Sequence, residues 1–355
     1  MPPTTYKDAG VDTAAKDRFI DKLFGMMRRT YGPRVLENDW GYAGFFSLNG
    51  PDNLFKKQYK NPVLVGCADG VGTKLKIAFA TGKHDTVGID LVAMNVNDLI
   101  VTGAEPLFFL DYLAVGPTGE AQMLEVMKGI VKGCEQADCA LLGGETAQMP
   151  DFYKPGEYEM GGFCVGIVDK ARIIDGKSVA PGDVVIGVGS TGLHSNGYTL
   201  VRKILLEKAG LALDQTVPGL RGTLGEELLT PTRIYVRSVR HALAPYRGKR
   251  VVKAIAHITG GGLLENIPRV LPADCDVEVR IGALPVHPIF RLIQEKGSVP
   301  DEEMARVFNM GIGLVLVVDP YFADAVIRRL GERGETVAAI GSVVRGGREV
   351  KVRFE

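Results

Sequence analysis

The sequence lacks an excess of charge of either sign. Its 355 residues include 42 lysines and arginines and 42 aspartates and glutamates, so the formal net charge is zero. Proteins that bind nucleic acid or anionic membranes usually carry a strongly basic face. We therefore expect neither partner, whereas a local basic pocket for a phosphorylated small molecule is compatible with this balance.

Cysteine is scarce, and long apolar runs are missing. The five cysteines show no Cys-x-x-Cys spacing; they are Cys67, Cys134, Cys139, Cys164 and Cys275. An odd count without that spacing predicts buried free thiols in a reducing compartment. The start, MPPTTYKDAG, has no apolar segment typical of a signal peptide. No stretch approaches the ~18 apolar residues that span a membrane. We expect a cytoplasmic protein.

Glycine, in contrast, is abundant. The 45 glycines exceed the usual share of about 7% and cluster in short loops between strand-like and helix-like segments. This alternation predicts an α/β protein with two mixed α/β domains, 1–172 and 173–355, joined at the polar, turn-rich segment 169–183. The predicted strands are 42–48, 62–68, 106–115, 140–144, 162–168, 183–189, 251–258, 275–281, 311–318 and 335–344. The predicted helices are 13–30, 87–103, 118–137, 196–209, 231–244, 261–270, 287–296 and 320–332, and Thr230 and Pro231 suit the start of the fifth.

The stretch CADGVGTK, residues 67–74, places an acid, two glycines and a lysine after a buried strand. Asp69 can face a cavity there, and Gly70 and Gly72 let backbone N–H groups approach phosphate oxygens. Lys74 adds a positive charge. The pattern predicts a site for phosphate and metal, although no Walker A motif occurs. A tight turn in which Asp69 bonds nearby backbone is the alternative.

Two further acids occupy comparable positions. Asp98 shares a helix face with Asn95 and Thr102, between large apolar residues, and Glu145 follows an apolar strand and two glycines. Together with Asp69 they suggest oxygen ligands for Mg²⁺, which prefers few carboxylates plus phosphates and water. A solvated helix face for Asp98 and a loop charge for Glu145 are the alternatives.

Two polar, glycine-rich loops stand out in the second half. GVGSTGLHSNGYTL, residues 187–200, contains a G-x-G-x-x-G pattern, but a polar stretch separates it from the next helix, which disfavours a nicotinamide-dependent oxidoreductase. HITGGGLLENIP, residues 257–268, has the same strand–loop–helix build, and such helix starts favour anions. His257 ends its strand beside this loop, either as a catalytic group or as a structural histidine.

Taken together and in order, the motifs of this chain are specific to one family. The chain resembles the phosphoribosylformylglycinamidine cyclo-ligases, the AIR synthetases of purine biosynthesis. The resemblance is carried, in order, by YKDAGVD (6–12), GCADGVGTKLKIA (66–78), HDTVGIDLVAMNVNDLIVTGAEPLFFLDYLA (84–114), GGETAQMP (143–150), GFCVGIV (162–168), GVGSTGLHSNGYTL (187–200), AHITGGGLLENIPRVLP (256–272) and FNMGIGLVLVV (308–318). The family often has glutamate where Gln148 stands and a small residue where Asn95 stands.

The resemblance implies an enzyme that uses ATP and Mg²⁺ on a phosphoribosyl small molecule. ATP would phosphorylate a formamide oxygen, and an amidine nitrogen of the same substrate would then close an imidazole ring. The first domains would pair their strands in a homodimer. An ATP-dependent phosphotransferase on another small molecule, as in the related selenophosphate and thiamine monophosphate enzymes, is the alternative.

The resemblance also assigns residues. The expected ATP and phosphate contacts are Lys7, Asp69, Gly70, Gly72, Thr73, Asn95 and Asp98, and the expected metal ligands are Asp69, Asp98 and Glu145. The expected substrate contacts are Ser190, His194, Ser195, Asn196, Gly260 and Gly261. Two residues are expected to be catalytic: Lys74, on the γ-phosphate, and His257, as acid, base or phosphate partner.

Overall fold

The computed structural model describes residues 22–36, 43–48, 59–246 and 248–354. The predicted contact residue Lys7 and the first part of the predicted helix 13–30 lie outside these ranges, as does residue 42 of the first predicted strand. Helices and strands alternate in two units, each with its own main sheet, which confirms the predicted α/β class.

The first unit contains a four-stranded sheet with neighbours in the order β3-β6-β4-β5. Only the β4–β5 pair is parallel. Its strands are β3 (Pro62–Gly70), β4 (Glu105–Val115), β5 (Ala140–Gln148) and β6 (Tyr158–Asp169), and β1 (Val35–Leu36) and β2 (Phe45–Phe46) form a separate pair. Its helices are α1, described over residues 22–27, α2 (Leu75–Thr81), α3 (Val87–Ile100) and α4 (Glu120–Ala137).

The second unit contains a six-stranded sheet in the order β12-β9-β11-β7-β10-β8, antiparallel except for β12–β9. Its strands are β7 (Val184–Gly189), β8 (Val252–His257), β9 (Cys275–Ile281), β10 (Ile312–Val318), β11 (Val337–Arg345) and β12 (Val350–Phe354). Its helices are α5 (Tyr198–Val201), which continues as a π-helix (Arg202–Lys208), α6 (Leu224–Leu228), α7 (Val236–Leu243), α8 (Gly262–Asn266), α9 (Pro288–Gly297), α10 (Asp301–Val307) and α11 (Ala323–Gly331). Short 3₁₀ turns cover Arg28–Thr30, Gly72–Lys74, Lys170–Arg172, Ile267–Val270 and Pro320–Phe322.

Helix α3 is the centre of the molecule. It packs on β3, β4 and β6 on one side, on α4 on another, and on α7 of the second unit. A β-carbon on Gly88 would lie 2.4 Å from backbone atoms of α4, so a residue without a side chain is needed at this crossing. Every residue of α3 except Asp98 is buried, which explains why its sequence is apolar nearly all round.

Most predicted elements occur within a few residues of their predicted bounds, but three differences are informative. The helix predicted from 231 begins only at Val236, because the backbone of Thr230 and Thr232 contacts the first unit instead. The first predicted strand is shorter, since β2 covers only Phe45–Phe46. Helices α2, α6 and α10 and strand β12 are short or rich in charge and were missed. The predicted domain boundary, between β6 and β7, stays a prediction.

All five cysteines are free thiols, as predicted; four are buried as expected, whereas Cys67 is half-buried. In the part of the chain that the structure describes, no helix has both the length and the apolar character needed to cross a membrane.

Candidate functional site

The carboxylate of Asp98 meets the imidazole of His257 at the junction of the two units. The last turn of α3 supplies Asp98, and the end of β8 supplies His257. The Nδ1 atom of His257 lies 2.8 Å from Oδ1 of Asp98, with the histidine side chain 2% exposed and the aspartate side chain 47% exposed. His257 is therefore enclosed by the protein, while the Asp98 carboxylate remains accessible to a ligand.

Asn97 determines which nitrogen of His257 carries the proton. The Oδ1 of Asn97 accepts the Tyr235 N–H at 3.0 Å, and its Nδ2 donates to the Arg233 carbonyl at 2.8 Å. The amide orientation is thus set, and Nδ2 is the group that faces Nε2 of His257, at 3.5 Å. Nε2 must then be an acceptor, so Nδ1 carries the proton and donates it to Asp98.

Asp69 lies beside this pair, at the end of β3. Its side chain reaches solvent, yet the surrounding protein desolvates the carboxylate and raises its pKa, with the Gly70 N–H opposing and the Asp98 charge adding to the rise. The Gly70 N–H donates to Asp69 Oδ1 at 2.7 Å, which is the local bond of the alternative interpretation. The carboxylates of Asp69 and Asp98 therefore lie near each other at the same solvent-facing surface.

Asn95 of α3 lies under the end of β3 and holds the backbone of Asp69. It is fully buried, and its Nδ2 donates to the carbonyls of Leu91, at 2.9 Å, and Asp69, at 3.3 Å. A β-carbon on Gly162, the β6 neighbour of Asp69, would lie 2.7 Å from that Nδ2. In this structure Asn95 therefore positions Asp69 rather than facing a ligand, unlike the contact that we expected.

Two more contacts join the glycine-rich loops, one between the two units and one within the second unit. Thr73, exposed after Gly72, has its hydroxyl 3.0 Å from that of Thr199 at the start of α5. The amide oxygen of Asn196 lies 3.5 Å from the place where a β-carbon of Gly260 would stand. The two loops predicted to bind substrate therefore adjoin each other, and the first of them also adjoins the loop predicted to bind phosphate.

These contacts close a ring around one surface. Asp69 and Asp98 form one side with His257, the loop after β8 leads to Gly260, and the loop before α5 returns to Thr73. Two cavities, of about 280 and 620 Å³, lie elsewhere, along the linker around Arg172.

The loop of residues 190–197 turns several predicted contact residues inward. His194 is buried in a left-handed conformation, with φ of 63°, and burial holds its pKa well below the usual range. Its Nε2 accepts the Thr191 N–H at 3.2 Å. The Ser190 hydroxyl is 3.0 Å from Oδ1 of Asn309. His194 and Ser190 are therefore structural in this conformation, contrary to expectation, and Asn196 remains the better-exposed candidate.

The second loop is shaped by glycine and by one amide. Gly261 and Gly262 have φ of 94° and 55°, which favour glycine. The Nδ2 of Asn266 donates to the carbonyls of Gly260, at 3.1 Å, and Gly262, at 2.8 Å. Gly260 itself is exposed, so the loop presents backbone groups on a rigid support.

Lys74 differs from its predicted placement. The residue is fully buried, and its ammonium lies 2.8 Å from Oδ2 of Asp90, which is also fully buried. It also donates to the carbonyls of Thr230 and His194. An ammonium with three protein partners inside the molecule does not face a γ-phosphate in this conformation, because its donors are already used.

Glu145 is exposed but lies away from the other two acids. Three strand spacings separate β3 from β5, which places the backbones of Asp69 and Glu145 about 14 Å apart at about 4.8 Å per strand. The β-carbon direction of Gly144 points at the Asp111 carboxylate, so the next residue, Glu145, points to the other face of the sheet. The expected group of three metal ligands is therefore not assembled within one chain. Among the described residues, no group of three or more His, Cys, Asp or Glu side chains is arranged to hold a metal ion.

The sequence reasoning missed four supporting residues: Asp90, Asn97, Thr232 and Asn266. Each has a polar side chain that is buried and bonded to another segment or loop. Asp90 and Asn97 occur within an apolar helix, where a buried polar group is costly without a partner. The same cost that singled out Asn95 and Asp98 also predicts buried partners for Asp90 and Asn97.

Two family comparisons define the class of protein that this fold and site represent. Residues 57–168 match the family "AIR synthase related protein, N-terminal domain", and residues 180–353 match "AIR synthase related protein, C-terminal domain". The protein is thus a two-domain member of the AIR-synthase-related class.

Individual relatives narrow this class. The curated phosphoribosylformylglycinamidine cyclo-ligase of Trichlorobacter lovleyi is 52% identical over 342 residues, 96% of this chain and 95% of that protein. The cyclo-ligase of Caldanaerobacter subterraneus subsp. tengcongensis is 51% identical, over 96% of this chain and 98% of its own. The chain belongs to the phosphoribosylformylglycinamidine cyclo-ligase family, an enzyme family of the ligase class, which confirms the resemblance found in the motifs.

Solved structures confirm the fold. The thiamine-monophosphate kinase of Stenotrophomonas maltophilia K279a matches with a TM-score of 0.65 and 19% identity, over 94% of this chain and 95% of that one. The hydrogenase maturation protein HypE in complex with ATP matches with a TM-score of 0.65 and 18% identity, over 96% and 91% of the two chains.

Proposed function

We propose that this enzyme uses ATP to close the imidazole ring of formylglycinamidine ribonucleotide, giving aminoimidazole ribonucleotide, ADP and phosphate. The observation that carries the proposal is the ring of contacts that joins Asp69, Asp98 and His257 to the glycine-rich loops of both domains. Such a surface offers negative charge for a metal, backbone donors for phosphates and a proton acceptor in one place, in a chain of the cyclo-ligase family.

The residues present fit a magnesium ion bound together with nucleotide. Asp69 and Asp98 are close enough for the charge of Asp98 to raise the pKa of Asp69, and a bound cation relieves repulsion of this kind. Mg²⁺ needs only one or two carboxylates when phosphates and water complete its shell. When bound, it would neutralise phosphate charge. Glu145 of the same chain takes no part in this arrangement.

The loop at residues 70–73 would hold the phosphates of ATP. Gly72 and Thr73 are exposed, and Gly72 has φ of 70°, a left-handed conformation of the kind found in anion-binding backbone turns. The Thr73 hydroxyl lies beside Thr199 of the second domain, so a phosphate here would touch both domains. The fold neighbour HypE is described in complex with ATP.

The reaction needs two displacements and no protein nucleophile. The formamide oxygen of the substrate attacks the γ-phosphorus of ATP, and ADP leaves. An amidine nitrogen of the same molecule then attacks the formyl carbon, the carbon–oxygen bond breaks, and phosphate leaves. Because the second attack is intramolecular, the protein mainly has to hold the bent substrate in position. The loops around Asn196 and Gly260 are placed to do this.

His257 would receive the proton that the amidine nitrogen loses. Its Nδ1 donates to Asp98, so the basic atom is Nε2. Because the His257 side chain is 2% exposed and Nε2 faces the buried Asn97 amide at 3.5 Å, this transfer requires a local rearrangement that uncovers Nε2. Asp98 would stabilise the imidazolium that forms. This assignment gives Asp98 two roles, one toward the metal and one toward His257.

An assay with both substrates tests the proposal. Incubation with ATP, Mg²⁺ and formylglycinamidine ribonucleotide should release ADP and aminoimidazole product in equal amounts. A phosphorylated product without ring formation would instead establish the phosphotransferase alternative. ADP release that does not depend on the ribonucleotide would contradict both.

We also propose that the enzyme is a cytoplasmic homodimer. The face of the four-stranded sheet opposite α3 exposes large apolar side chains, with Leu64 60%, Phe163 47% and Tyr112 42% exposed. A sheet face of this composition is normally covered by another surface. A second copy of the chain, pairing through the same face, is the partner that the family resemblance implies. The five free thiols suit a reducing compartment.

Replacing Phe163 by aspartate should convert the dimer to a monomer. The change puts a charge at the centre of the proposed interface, and loss of such an anchor weakens association about 100-fold or more. Sedimentation velocity at micromolar concentration measures the result. Phe152, 78% exposed in a loop, provides the control: Phe152→Asp should leave the dimer intact. An unchanged dimer in Phe163→Asp would rule out this face.

A further inference from the structure

The ammonium of Lys74 is held on all sides by groups that belong to different parts of the chain. Asp90 of α3 accepts at 2.8 Å, the Thr230 carbonyl at 2.7 Å and the His194 carbonyl at 3.0 Å. The ring of Tyr198 lies 5.6 Å from the nitrogen. Three donors thus meet three acceptors, and two of these acceptors come from the second domain.

Asp90 connects this cluster to Thr232 and, through it, to Ser195 of the second domain. Its Oδ1 accepts the Thr232 N–H at 2.7 Å and the Thr232 hydroxyl at 2.6 Å. Thr232 Oγ1 is in turn 3.1 Å from Ser195 Oγ. Residues 194, 195, 230 and 232 are therefore tied to the first domain by one ion pair.

The backbone at His194 needs such support. Its φ of 63° is unfavourable for a residue with a side chain, and strained residues persist where the surroundings hold them. The carbonyl of His194 is one of the groups that Lys74 binds. The next residues, Ser195 and Asn196, lead to the part of the loop that adjoins Gly260 in the proposed substrate site.

We propose that Lys74 is a positioning residue for the phosphoribosyl substrate: its ammonium, held by Asp90, fixes the loop of residues 194–196 from within the protein. The inference rests on the proposed function for the identity of the substrate. It replaces the expected contact between Lys74 and the γ-phosphate. The two roles differ in kinetics, because a loop-positioning residue acts on the ribonucleotide and a γ-phosphate contact acts on ATP and on turnover.

The test replaces both charges together. A single change would leave one buried charge unpaired and could unfold the chain, so the variant is Lys74→Met with Asp90→Asn. We expect KM for formylglycinamidine ribonucleotide to rise at least tenfold and KM for ATP to change less than twofold. Lys76→Met is the matched control, because Lys76 is exposed, pairs with Glu157 on the surface and lies over the ring of Phe79, away from the Lys74 cluster; both KM values should stay unchanged. A fall in kcat or a rise in KM for ATP, with KM for the ribonucleotide unchanged, would overturn the proposal.

A second measurement separates this inference from the proposed function. Amide hydrogen exchange of residues 193–197, 230, 232 and 233 should be at least tenfold faster in the double variant, whether or not the wild-type enzyme catalyses ring closure. Equal exchange would refute the tether, whereas absent ring closure in the wild type would refute the function alone. If the double variant does not fold, Thr232→Val removes the hydroxyl that joins Asp90 to Ser195 and leaves the Lys74–Asp90 pair and the Thr232 N–H in place. It should raise KM for the ribonucleotide severalfold, with Thr232→Ser close to wild type; an unchanged KM would overturn the proposal.

Discussion

Replacing Asp98 by asparagine should lower turnover about 100-fold or more while the fold stays intact. The amide keeps an oxygen that can accept from Nδ1 of His257, but the negative charge is lost. Charge that stabilises phosphate transfer, directly or through a metal, is typically worth factors of this size. The side chain is 47% exposed, so its replacement leaves no buried group unpaired.

Steady-state kinetics over a range of Mg²⁺ concentrations measures this effect. We expect the Mg²⁺ concentration needed for half-maximal rate to rise, and high Mg²⁺ to restore part of the activity. Asp324, an exposed aspartate on α11, is the control; Asp324→Asn should behave as wild type. Wild-type kinetics in Asp98→Asn would exclude the charge of Asp98 from metal binding and from stabilising a protonated His257.

Replacing Asp111 by asparagine should remove a large pH dependence of stability. Asp111 lies on β4, buried beneath the sheet, and desolvation raises its pKa from 3.8 to about 7, with its own backbone N–H opposing. The folded state therefore holds a proton that the unfolded chain releases between these values. The resulting stabilisation is complete below pH 3.8, declines as pH rises and is lost above about pH 7.

Between pH 5 and pH 8, wild type should lose about 2.5 kcal/mol of unfolding free energy relative to Asp111→Asn, at 1.36 kcal/mol per pKa unit. Urea unfolding of both proteins at the two pH values measures this difference. Asp151 is an exposed aspartate of the same domain, and Asp151→Asn should follow wild type at both. A parallel pH response of wild type and Asp111→Asn would show that the carboxyl is ionised in the fold throughout this range.

The elements that were predictable from sequence are those whose local pattern and tertiary role agree. Strand β9 has its predicted bounds, Cys275–Ile281, because an apolar alternation lies between clear turns. Strand β12, which pairs at the sheet edge and is mostly charged or half-exposed, has no such signal. The predicted start of α7 was wrong because the carbonyls of Thr230 and Pro231, residues with the chemistry of a helix start, accept from Lys74 and Thr191 instead, and the backbone N–H of Thr232 donates to Asp90 of α3.

The candidate site was predictable only in part, for the same reason. Asp98 and His257 were each predicted from their own surroundings, but they are 159 residues apart, and nothing local to either indicates their bond. Lys74 follows glycines at a strand end, a position where lysine normally faces water. Its burial depends on Asp90, inside a helix, and on two carbonyls of the second domain. Long-range partners of this kind are set by the packing of the domains, which a single sequence does not reveal.

The burial of α3 between the two domains limits how the enzyme can exchange ligands. A hinge motion that separated the domains would expose the Lys74–Asp90 pair to water on one side and break the contacts of Asn97 with Arg233 and Tyr235. Such an opening would break these hydrogen bonds and disrupt the ion pair at the same time, which is costly in free energy. We therefore expect nucleotide to enter and product to depart through rearrangement of the surface loops, while the two halves of the molecule keep a fixed orientation during the catalytic cycle.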